Sequence, residues 1–436
     1  MKKSRQNITA FIIISILFLV LLAPTGTQAA TSLSREGYQL EQVIVLSRHN
    51  IRSPMAGKGS YLDSFTPYDW FEWTSGAAEL SLRGGVLETE MGQFFKKWLE
   101  SEGLIEENYH PQGNEVRIYA NSKQRTIATA KYFTAGLFPT ANIDVEYHVE
   151  FDTMDPVFTP QLTFISEEYI KDATEEVFEL YQEKIKGLKD NYELLEDVLE
   201  IQDSAFAKEN NFQGFKTDDT ELILKLGEEP VVSGSLRTAT GVTDALVLQY
   251  YEESDAKKAA FGKELSNEQW AQISEIKDVY GDVLFTAPLI ATNVAYPLLK
   301  EIKSEMDASG ERRFTFLCGH DSNVGSVLAA LGAEDYELPN AIEKKTPIGC
   351  KLVFSKWKGA SGREYWSIDL VYQNVEQLRT QPILGLNNTP EVYHIELKGL
   401  KQNKDGLYKA KKIKKLFKKV LNEYDVLYTK YADKAA

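Results

Sequence analysis

A histidine between two arginines is the part of this sequence best suited to chemistry. The segment Arg48-His49-Asn50-Ile51-Arg52 follows an apolar run, Val43 to Leu46, that predicts a buried strand. Neighbouring cations disfavour a charged imidazole, and a neutral imidazole keeps a lone pair for nucleophilic attack. Two guanidinium groups can hold an anion beside it in bidentate geometry. Because a phosphoryl group meets both demands, we predict His49 as a nucleophile with Arg48 and Arg52 as phosphate ligands.

Arg125 is a second candidate for anion binding. It follows a predicted strand, Val116 to Ala120, and falls in the first turn of a helix whose expected N-cap is Asn121 or Ser122. A cation at the positive end of a helix is unfavourable unless an anion binds there. The alternative is an arginine that faces solvent.

His320 and Asp321 form a third candidate group, directly after the predicted strand Arg313 to Cys318 and before a predicted helix, Val324 to Leu331. His320 can hold phosphoryl oxygens, and Asp321 can donate a proton to a leaving alkoxide. The alternative role for Asp321 is a helix N-cap.

The elements that must position these residues indicate an α/β fold. Open α/β sheets bind ligands at the carboxyl ends of their strands, which is where all three polar groups lie. From about residue 164 to about residue 285, charged helix formers dominate and strand signals are sparse. We therefore predict an inserted, mostly helical domain in this part of the chain.

Composition and charge restrict the partners. The chain has 436 residues, of which 43% are hydrophobic, so it can bury a large core in one or two domains. Its net charge is −15 and its pI about 5.0, which disfavours nucleic acid and anionic membranes as partners. A phosphate site must therefore concentrate positive charge locally.

The N-terminal segment predicts export. Residues 1–29 read as a signal peptide, with a basic start, an apolar core from Ala10 to Leu22, and cleavage after Ala29. The core is too short for a comfortable membrane span, although an uncleaved anchor is the alternative. We predict a periplasmic or secreted protein without stable membrane insertion after cleavage.

The cysteines, the remaining histidines and the last predicted helix each lead to a separate expectation. Cys318 and Cys350 allow one disulfide or two free thiols, and the sequence does not decide between them. The remaining histidines, His110, His148 and His394, stand alone without ligand spacing, so we predict no metal site. The basic amphipathic helix near the C-terminus is expected to pack its apolar stripe on the core, with membrane attachment as the lesser alternative.

The motifs resemble those of a known family. Arg48-His49-Asn50-Ile51-Arg52-Ser53-Pro54 resembles the RHGxRxP signature of the histidine acid phosphatases, in branch 2 of the histidine phosphatase superfamily. Asn50 replaces the usual glycine, which is similar to the exported glucose-1-phosphatase group. His320-Asp321 resembles the family's second signature, and the similarity extends from Gly37 to Glu423.

This resemblance implies a fold and a mechanism. The expected fold is α/β: a large domain with a central mixed sheet flanked by helices, from residues 30–155 and 286–436, and a smaller inserted helical domain, residues 156–285. Phosphomonoesters would be hydrolysed through a phosphohistidine without a metal or other cofactor. By matching positions, the expected site residues are His49 as nucleophile, Asp321 as proton donor, Arg48, Arg52, Arg125 and His320 as phosphate ligands, and Glu229 over the pocket as an influence on substrate choice.

The leading functional prediction is an exported phosphatase for sugar phosphates, with glucose 1-phosphate first. One alternative is a phytase-type enzyme, but Glu229 at the rim of the pocket would disfavour a densely anionic inositol phosphate. A non-catalytic binder of phosphorylated ligands is the other, and it would need neither His49 nor Asp321. The partner is a small phosphorylated substrate, and the oligomeric state is left open.

Overall fold

The structure is a computed structural model that describes residues 32–56, 59–308 and 310–432. The predicted signal peptide, residues 1–29, lies outside the described residues and stays a prediction. Within the described part of the chain, no helix is both long and apolar enough to cross a membrane.

A mixed sheet forms the centre of the molecule, as predicted. Its strand order is β2-β5-β1-β6-β7-β8, with β9 also paired to β7, and β3 and β4 form a separate ribbon. The strands are β1 (Tyr38–Arg48), β2 (Val116–Ala120), β3 (Leu222–Ile223), β4 (Val231–Val232), β5 (Phe314–Gly319), β6 (Lys351–Gly359), β7 (Glu364–Tyr372), β8 (Glu391–His394) and β9 (Tyr408–Lys409). Strands β2, β5 and β1 run parallel, whereas β1, β6, β7 and β8 alternate in direction.

Helices flank the sheet and fill the segment between β2 and β5. They are α1 (Leu82–Ser101), α2 (Gln124–Leu137), α3 (Glu167–Gly187), α4 (Lys189–Leu199), α5 (Ala205–Asn210), α6 (Ser235–Glu252), α7 (Ala256–Ala259), α8 (Asn267–Phe285), α9 (Pro288–Val294), α10 (Tyr296–Asp307), α11 (Asp321–Ala330), α12 (Val375–Thr380) and α13 (Ala410–Tyr431). Two short 3-10 helices span Tyr61–Ser64 and Ile201–Asp203.

Strand β1 is apolar on both faces because helices cover both sides of the sheet. Val43 and Val45 belong to the core cluster on the side of α1 and α2, whereas Ile44 and Leu46 belong to the cluster on the side of α10, α11 and α13. Successive side chains of a strand point to opposite faces, so a doubly covered strand reads as a continuous apolar run. The strand is longer than the predicted Val43 to Leu46.

The helical part of the chain shares its core with the sheet-bearing part. Residues from α3, α4, α6 and α8 pack into one cluster that also contains Ile51, Leu87 and Leu378. Apart from the two-residue strands β3 and β4, residues 156–285 form helices and loops. The division into an inserted domain, residues 156–285, and a domain from 30–155 and 286–436 stays a proposal.

The C-terminal helix α13 packs its apolar stripe inward. Ile413, Phe417 and Val420 are buried in the same cluster as β7 residues. The lysines in the first half of the helix are exposed, namely Lys411, Lys412, Lys414, Lys415, Lys418 and Lys419. The expectation that the stripe packs on the core is therefore confirmed.

Candidate active site

The ends of three parallel strands meet at one edge of the sheet. Arg48 pairs with Gly319, and Ala120 pairs with Cys318. One residue further, the backbone N–H of His49 donates to the Gly319 carbonyl at 3.0 Å. This register places the loop after β1 beside the start of α11 and beside the segment that leads from β2 into α2.

The tautomer of His49 follows from its hydrogen bond. Its Nδ1 lies 2.9 Å from the carbonyl oxygen of Asn50, an atom that can only accept, so Nδ1 carries the proton and Nε2 keeps its lone pair. The side chain is 4% exposed. Burial, followed by the positive charges of Arg125, Arg52 and other neighbours, holds the pKa of His49 well below its usual value. The imidazole is therefore neutral, as the sequence predicts.

Arg48 and Arg52 are both held by carboxylates. Arg48 Nη1 donates to Glu343 Oε1 at 2.7 Å, and its Nη2 lies 3.2 Å from Asp321 Oδ2. Arg52 Nη2 donates to Asp244 Oδ2 at 3.0 Å. The Nε atoms of both arginines are buried and make no hydrogen bond to the described residues. Both side chains are thus fixed in place yet keep donor capacity.

Lys277 of α8 links Asp244 and Glu343, the carboxylates that hold the two arginines. Its Nζ lies 2.9 Å from Asp244 Oδ1 and 3.0 Å from Glu343 Oε1. The result is an alternating chain of charges from Arg52 to Arg48. Sequence analysis missed Asp244, Lys277 and Glu343, because each lies far along the chain from the motif.

Arg125 differs from the other two arginines. It is 8% exposed and lies in the first turn of α2, as predicted, although the N-cap is Lys123 and not Asn121 or Ser122. Among the described residues it forms no ion pair with a carboxylate, and its Nε is buried without a partner. Burial, then the nearby charge of Arg52, lowers the pKa of Arg125 to about 10. A buried, charged guanidinium with no counterion is a ready site for an anion.

His320 faces the same space in a defined tautomer. Asn121 accepts the Asp155 backbone N–H with its side-chain oxygen, so its amide nitrogen is the group that lies 2.7 Å from His320 Nε2. Nε2 therefore accepts and Nδ1 carries the proton. Burial and then Arg125 lower the pKa of His320. A neutral His320 still offers one N–H donor, and its ring lies 5.5 Å from the ring of His49, edge to face.

Asp321 is the first residue of α11, and His320 is the N-cap. The alternative role of Asp321 as N-cap is therefore wrong, and the helix begins three residues before the predicted Val324. The Asp321 side chain is 48% exposed. Burial would raise its pKa, but Arg48 and then Lys277 outweigh burial and lower it. Asp321 is a carboxylate that pairs with Arg48 when no substrate is bound.

Glu229 lies at the margin of this group. It follows β3 in the loop before β4, and the Glu228 carbonyl accepts the Leu162 backbone N–H at 3.0 Å. Burial, then the negative charge of Asp321, raises the pKa of Glu229, and Arg125 acts in the opposite direction. Its carboxylate is therefore within electrostatic range of both. The structure brings the other six predicted residues into one group, whereas their roles stay predictions.

A cavity of about 490 Å³ opens next to the arginines, between the sheet edge and helices α6 and α8. Its charged lining residues are Arg48, Arg52, Arg237, Asp244, Lys277, Asp278, Asp282, Asp321, Glu343 and Lys345. Five basic side chains are thus matched by five acidic ones. Burial raises the pKa of one of these acids, Asp278, to about 7, and the lining carries no large excess of either charge.

The two cysteines are free thiols, which answers the question left open by the sequence. Cys318 is in β5 and Cys350 precedes β6, and β1 lies between these strands. Strands two places apart in a sheet are separated by about 9–10 Å, which is too far for a disulfide. Among the described residues, no group of three or more His, Cys, Asp or Glu side chains could hold a metal ion.

The chain is similar to known proteins over most of its length. The sequence model of the Histidine phosphatase superfamily (branch 2) matches residues 39–373. A glucose-1-phosphatase of Salmonella typhimurium is 38% identical over 391 residues, which cover 88% of this chain and 93% of that protein. A glucose-1-phosphatase of Providencia rettgeri is 35% identical over 410 residues, which cover 92% and 97%.

A solved structure has the same fold. The apo form of a Hafnia alvei phytase superposes with a TM-score of 0.80 at 25% identity, covering 90% of this chain and 99% of that one. The likeness therefore includes nearly the whole chain.

Proposed function

Because the chain belongs to branch 2 of the histidine phosphatase superfamily, we propose that it hydrolyses sugar phosphates, with glucose 1-phosphate as the leading substrate, through a phosphohistidine. The enzyme class follows from the family, whose members act on small phosphorylated substrates. The substrate and the residue roles are the proposal. They rest on the site geometry and on the two glucose-1-phosphatases that the chain is similar to.

The observation that carries the proposal is a neutral imidazole beside an arginine without a counterion. His49 keeps the lone pair on Nε2 because its Nδ1 proton is held by the Asn50 carbonyl. Arg125 is buried and has no carboxylate partner among the described residues, so it supports an anion next to that lone pair. A non-catalytic phosphate binder would need the arginine but not the oriented imidazole.

The proposed reaction has two steps. His49 Nε2 attacks phosphorus, the N–P bond forms as the bond to the leaving oxygen breaks, and Asp321 gives that oxygen a proton. Water then attacks phosphorus, Asp321 takes its proton, and His49 is released with inorganic phosphate. Arg48, Arg52, Arg125 and the Nδ1–H of His320 stabilise the charged oxygens throughout, which is the main requirement of phosphoryl transfer.

The charge balance of the cavity favours a monophosphate. The lining has no large excess of positive charge for additional phosphates, since its five basic side chains are accompanied by five acidic ones. Glu229 adds a further acid at the margin. The phytase alternative has support in the fold shared with the Hafnia alvei phytase, but a densely anionic inositol phosphate would need a lining with excess positive charge.

Export is part of the proposal. It is supported by the basic start, apolar core and small residues of the segment 1–29, which predict a cleaved signal peptide. We propose a periplasmic or secreted location and a two-domain arrangement in which residues 156–285 form the inserted part.

The test combines turnover with detection of the intermediate. Purified protein should release phosphate from glucose 1-phosphate faster than from phytate. Rapid quenching into alkaline denaturant should trap an alkali-stable phosphoryl group on His49. His49→Ala should lose turnover by several orders of magnitude, because the nucleophile is gone.

The matched control is His110→Ala, which removes an exposed histidine outside the site and should leave turnover unchanged. Near-normal turnover by His49→Ala, or the absence of phosphoenzyme during turnover, would exclude the proposed mechanism.

A further inference from the structure

We propose that Glu88 and Lys351 position the nucleophile: this buried ion pair holds the side chain of Asn50, and thereby the Asn50 carbonyl that fixes the tautomer of His49. The inference rests on the proposed function. It assigns a role to two residues outside the motif and to Asn50, which stands where the family signature has glycine.

The ion pair lies directly behind the loop that follows β1. Asn50 Nδ2 donates to Glu88 Oε1 at 2.8 Å, and Lys351 Nζ donates to the same oxygen at 2.8 Å. Lys351 Nζ also donates to the Gly349 carbonyl at 2.6 Å. The side chains of Glu88 and Lys351 are both 0% exposed. The Asn50 amide thus joins the nucleophile loop to Glu88 of helix α1 and, through Glu88, to Lys351 of strand β6.

Asn50 is held by contacts to both its side chain and its backbone. Its Oδ1 accepts the Ile51 backbone N–H at 2.8 Å, and its own backbone N–H donates to Thr129 Oγ1 at 3.2 Å. Gly349 packs against it so closely that a Cβ at that position would lie 2.5 Å from Asn50 Nδ2. The Gly349 N–H also donates to the His49 carbonyl at 3.1 Å. Both polar atoms of the Asn50 side chain are therefore held, Nδ2 by Glu88 and Oδ1 by the Ile51 backbone.

A buried ion pair is weak evidence of a contribution to stability. Burying two charges is costly, and a well-packed apolar pair of similar volume is often equally stable or more stable. Here Glu88 Oε2 is buried without a hydrogen-bond partner among the described residues. The aromatic rings of Phe133 and Phe316 lie 5.9 Å from Lys351 Nζ and offset part of the desolvation. Since such a pair is expected to add little stability, we attribute its role to the position that it gives to Asn50.

That position matters because the lone pair of His49 must face phosphorus. If the Asn50 carbonyl shifts, Nδ1 loses its acceptor and the imidazole can rotate or change tautomer. A displacement of about 1 Å in a reacting group can lower the rate by about 100-fold. The arginines do not contact this pair, so binding of the phosphoryl group should be spared.

The test compares two double variants. In E88L/K351M both charges and the acceptor for Asn50 are removed, whereas in E88Q/K351M the charges are removed but the introduced glutamine keeps an amide oxygen for Asn50. We expect E88L/K351M to form phosphoenzyme at least about 10-fold more slowly, with KM and the inhibition constant of inorganic phosphate nearly unchanged. E88Q/K351M should recover most of the rate. E88L/K351M leaves the buried Asn50 amide without its acceptor, so its melting temperature should fall, whereas that of E88Q/K351M should stay closer to the unmodified protein.

Two further variants complete the design. N50A keeps the ion pair, so it should fold if E88L/K351M does not, and it should show the same slow phosphorylation. E305Q is the matched control, since Glu305 is a buried carboxylate that pairs with Arg117 and Arg312 at the other end of β5. It should lower stability without slowing phosphorylation.

An activity-independent measurement separates this inference from the proposed function. In the ¹⁵N NMR spectrum of the unliganded, histidine-labelled protein, His49 should be protonated at Nδ1. In E88L/K351M and N50A, His49 should instead show a mixture of tautomers. A wild-type rate and spectrum in both variants would overturn the positioning role. A wild-type protein that forms no phosphoenzyme, but shows the expected spectrum, would overturn the proposed reaction alone.

Discussion

At the scale of single residues, Asp321 pairs with Arg48 in the free protein and faces the phosphoryl group in the proposed reaction. In the free protein it is 48% exposed and pairs with Arg48, whose other side is held by the buried Glu343. An incoming phosphoryl group carries more charge than Asp321 and competes for the same guanidinium nitrogen. Once displaced, the carboxylate lies next to an anion, which raises its pKa and equips it to carry a proton.

Asp321→Asn should therefore slow the reaction according to the leaving group. A sugar alkoxide needs a proton as it departs, so hydrolysis of glucose 1-phosphate should fall by about 10²–10⁴-fold. Hydrolysis of p-nitrophenyl phosphate, whose leaving group needs little help, should fall much less. Steady-state kcat for the two substrates provides the measurement, and equal losses would indicate a structural role.

The pH dependence follows from the direction of the pKa shift. Because Arg48 and Lys277 outweigh burial and lower the pKa of Asp321 in the free protein, the protonated acid is present only in acidic solution. The value of kcat/KM for glucose 1-phosphate should fall as pH rises, and this part of the fall should be absent in Asp321→Asn.

Site residues could be predicted from the sequence where a polar side chain follows a strand. His49, Arg125 and His320 all lie within a few residues of a strand end, so local sequence indicated their shared edge. Glu88 and Lys351 could not be found this way. Glu88 lies in an amphipathic helix, where an acid is unremarkable, and Lys351 opens a strand as surface lysines often do.

At the scale of elements, the segment between β3 and β4 determines where Glu229 lies. Strand β4 pairs with β3, and the preceding loop is tied to Leu162 by the Glu228 carbonyl and by the Gly227 N–H. Pro230 restricts Glu229 to an extended backbone. The short ribbon thereby holds one acid near Asp321 and Arg125, and turns the neighbouring Glu228 toward solvent.

Glu229→Gln should shift substrate preference toward phytate. The change removes a charge that repels additional phosphates but nearly keeps the shape, so the ratio of kcat/KM for phytate to that for glucose 1-phosphate should rise several-fold at low ionic strength. The gain should shrink with added salt, because salt screens charge.

The adjacent residue supplies a matched control. Glu228 is 59% exposed and pairs with Lys225 at 3.5 Å, so Glu228→Gln should leave the ratio unchanged. If Glu229→Gln behaves like Glu228→Gln, pocket shape and not this carboxylate governs the substrate range.

Element boundaries show where local sequence was insufficient. Helix α11 begins at Asp321, although Ser322 and Asn323 follow it and favour caps and turns in isolation. The Asn323 side chain instead accepts the His320 backbone N–H at 2.9 Å and donates to the Phe158 carbonyl. The helix start therefore combines a local capping bond with a tertiary contact to Phe158.

At the scale of the whole molecule, one buried charge cluster joins the first described residues to β7 and β8. Asp369 is 0% exposed and binds Arg35 Nη2 at 3.1 Å and His394 Nδ1 at 2.5 Å. The other ring nitrogen of His394 bonds to the Gly406 carbonyl. Since two oxygen acceptors face the ring, His394 is best stabilised as an imidazolium. The His394 side chain is 13% exposed and packs within this cluster.

Stability should therefore depend on the charge of His394. Burial lowers its pKa and Arg35 acts in the same direction, but the hydrogen bond and charge of Asp369 outweigh both and raise it. The stabilisation is complete below the unfolded pKa of about 6.5 and is lost as pH rises through the higher folded value. The free energy of unfolding should fall over that window by at most about 1.4 kcal/mol per pH unit.

Urea unfolding at several pH values measures this slope. His394→Gln should remove its contribution, whereas His110→Gln, at an exposed position, should leave it intact. A slope that persists in His394→Gln would assign the pH dependence to other groups.

Strand β1 also imposes an order of events on folding. It is synthesised well before its two hydrogen-bonded neighbours, β5 at Phe314–Gly319 and β6 at Lys351–Gly359. At about 5–20 residues per second, this strand, with its apolar stretch from Val43 to Leu46 and both edges open, exists for roughly 15–60 s before its partners are synthesised. Such a strand is prone to aggregate and benefits from a chaperone that covers it.

The same delay applies to the nucleophile. His49 acquires its place only when β5 and β6 have closed around β1, and long-range pairing of this kind is slow. Helices α1 and α2 need no such partner to begin forming, because the hydrogen bonds of a helix are local. Regain of phosphatase activity during refolding should consequently lag behind regain of helical circular dichroism, so that catalysis reports the last stage of assembly.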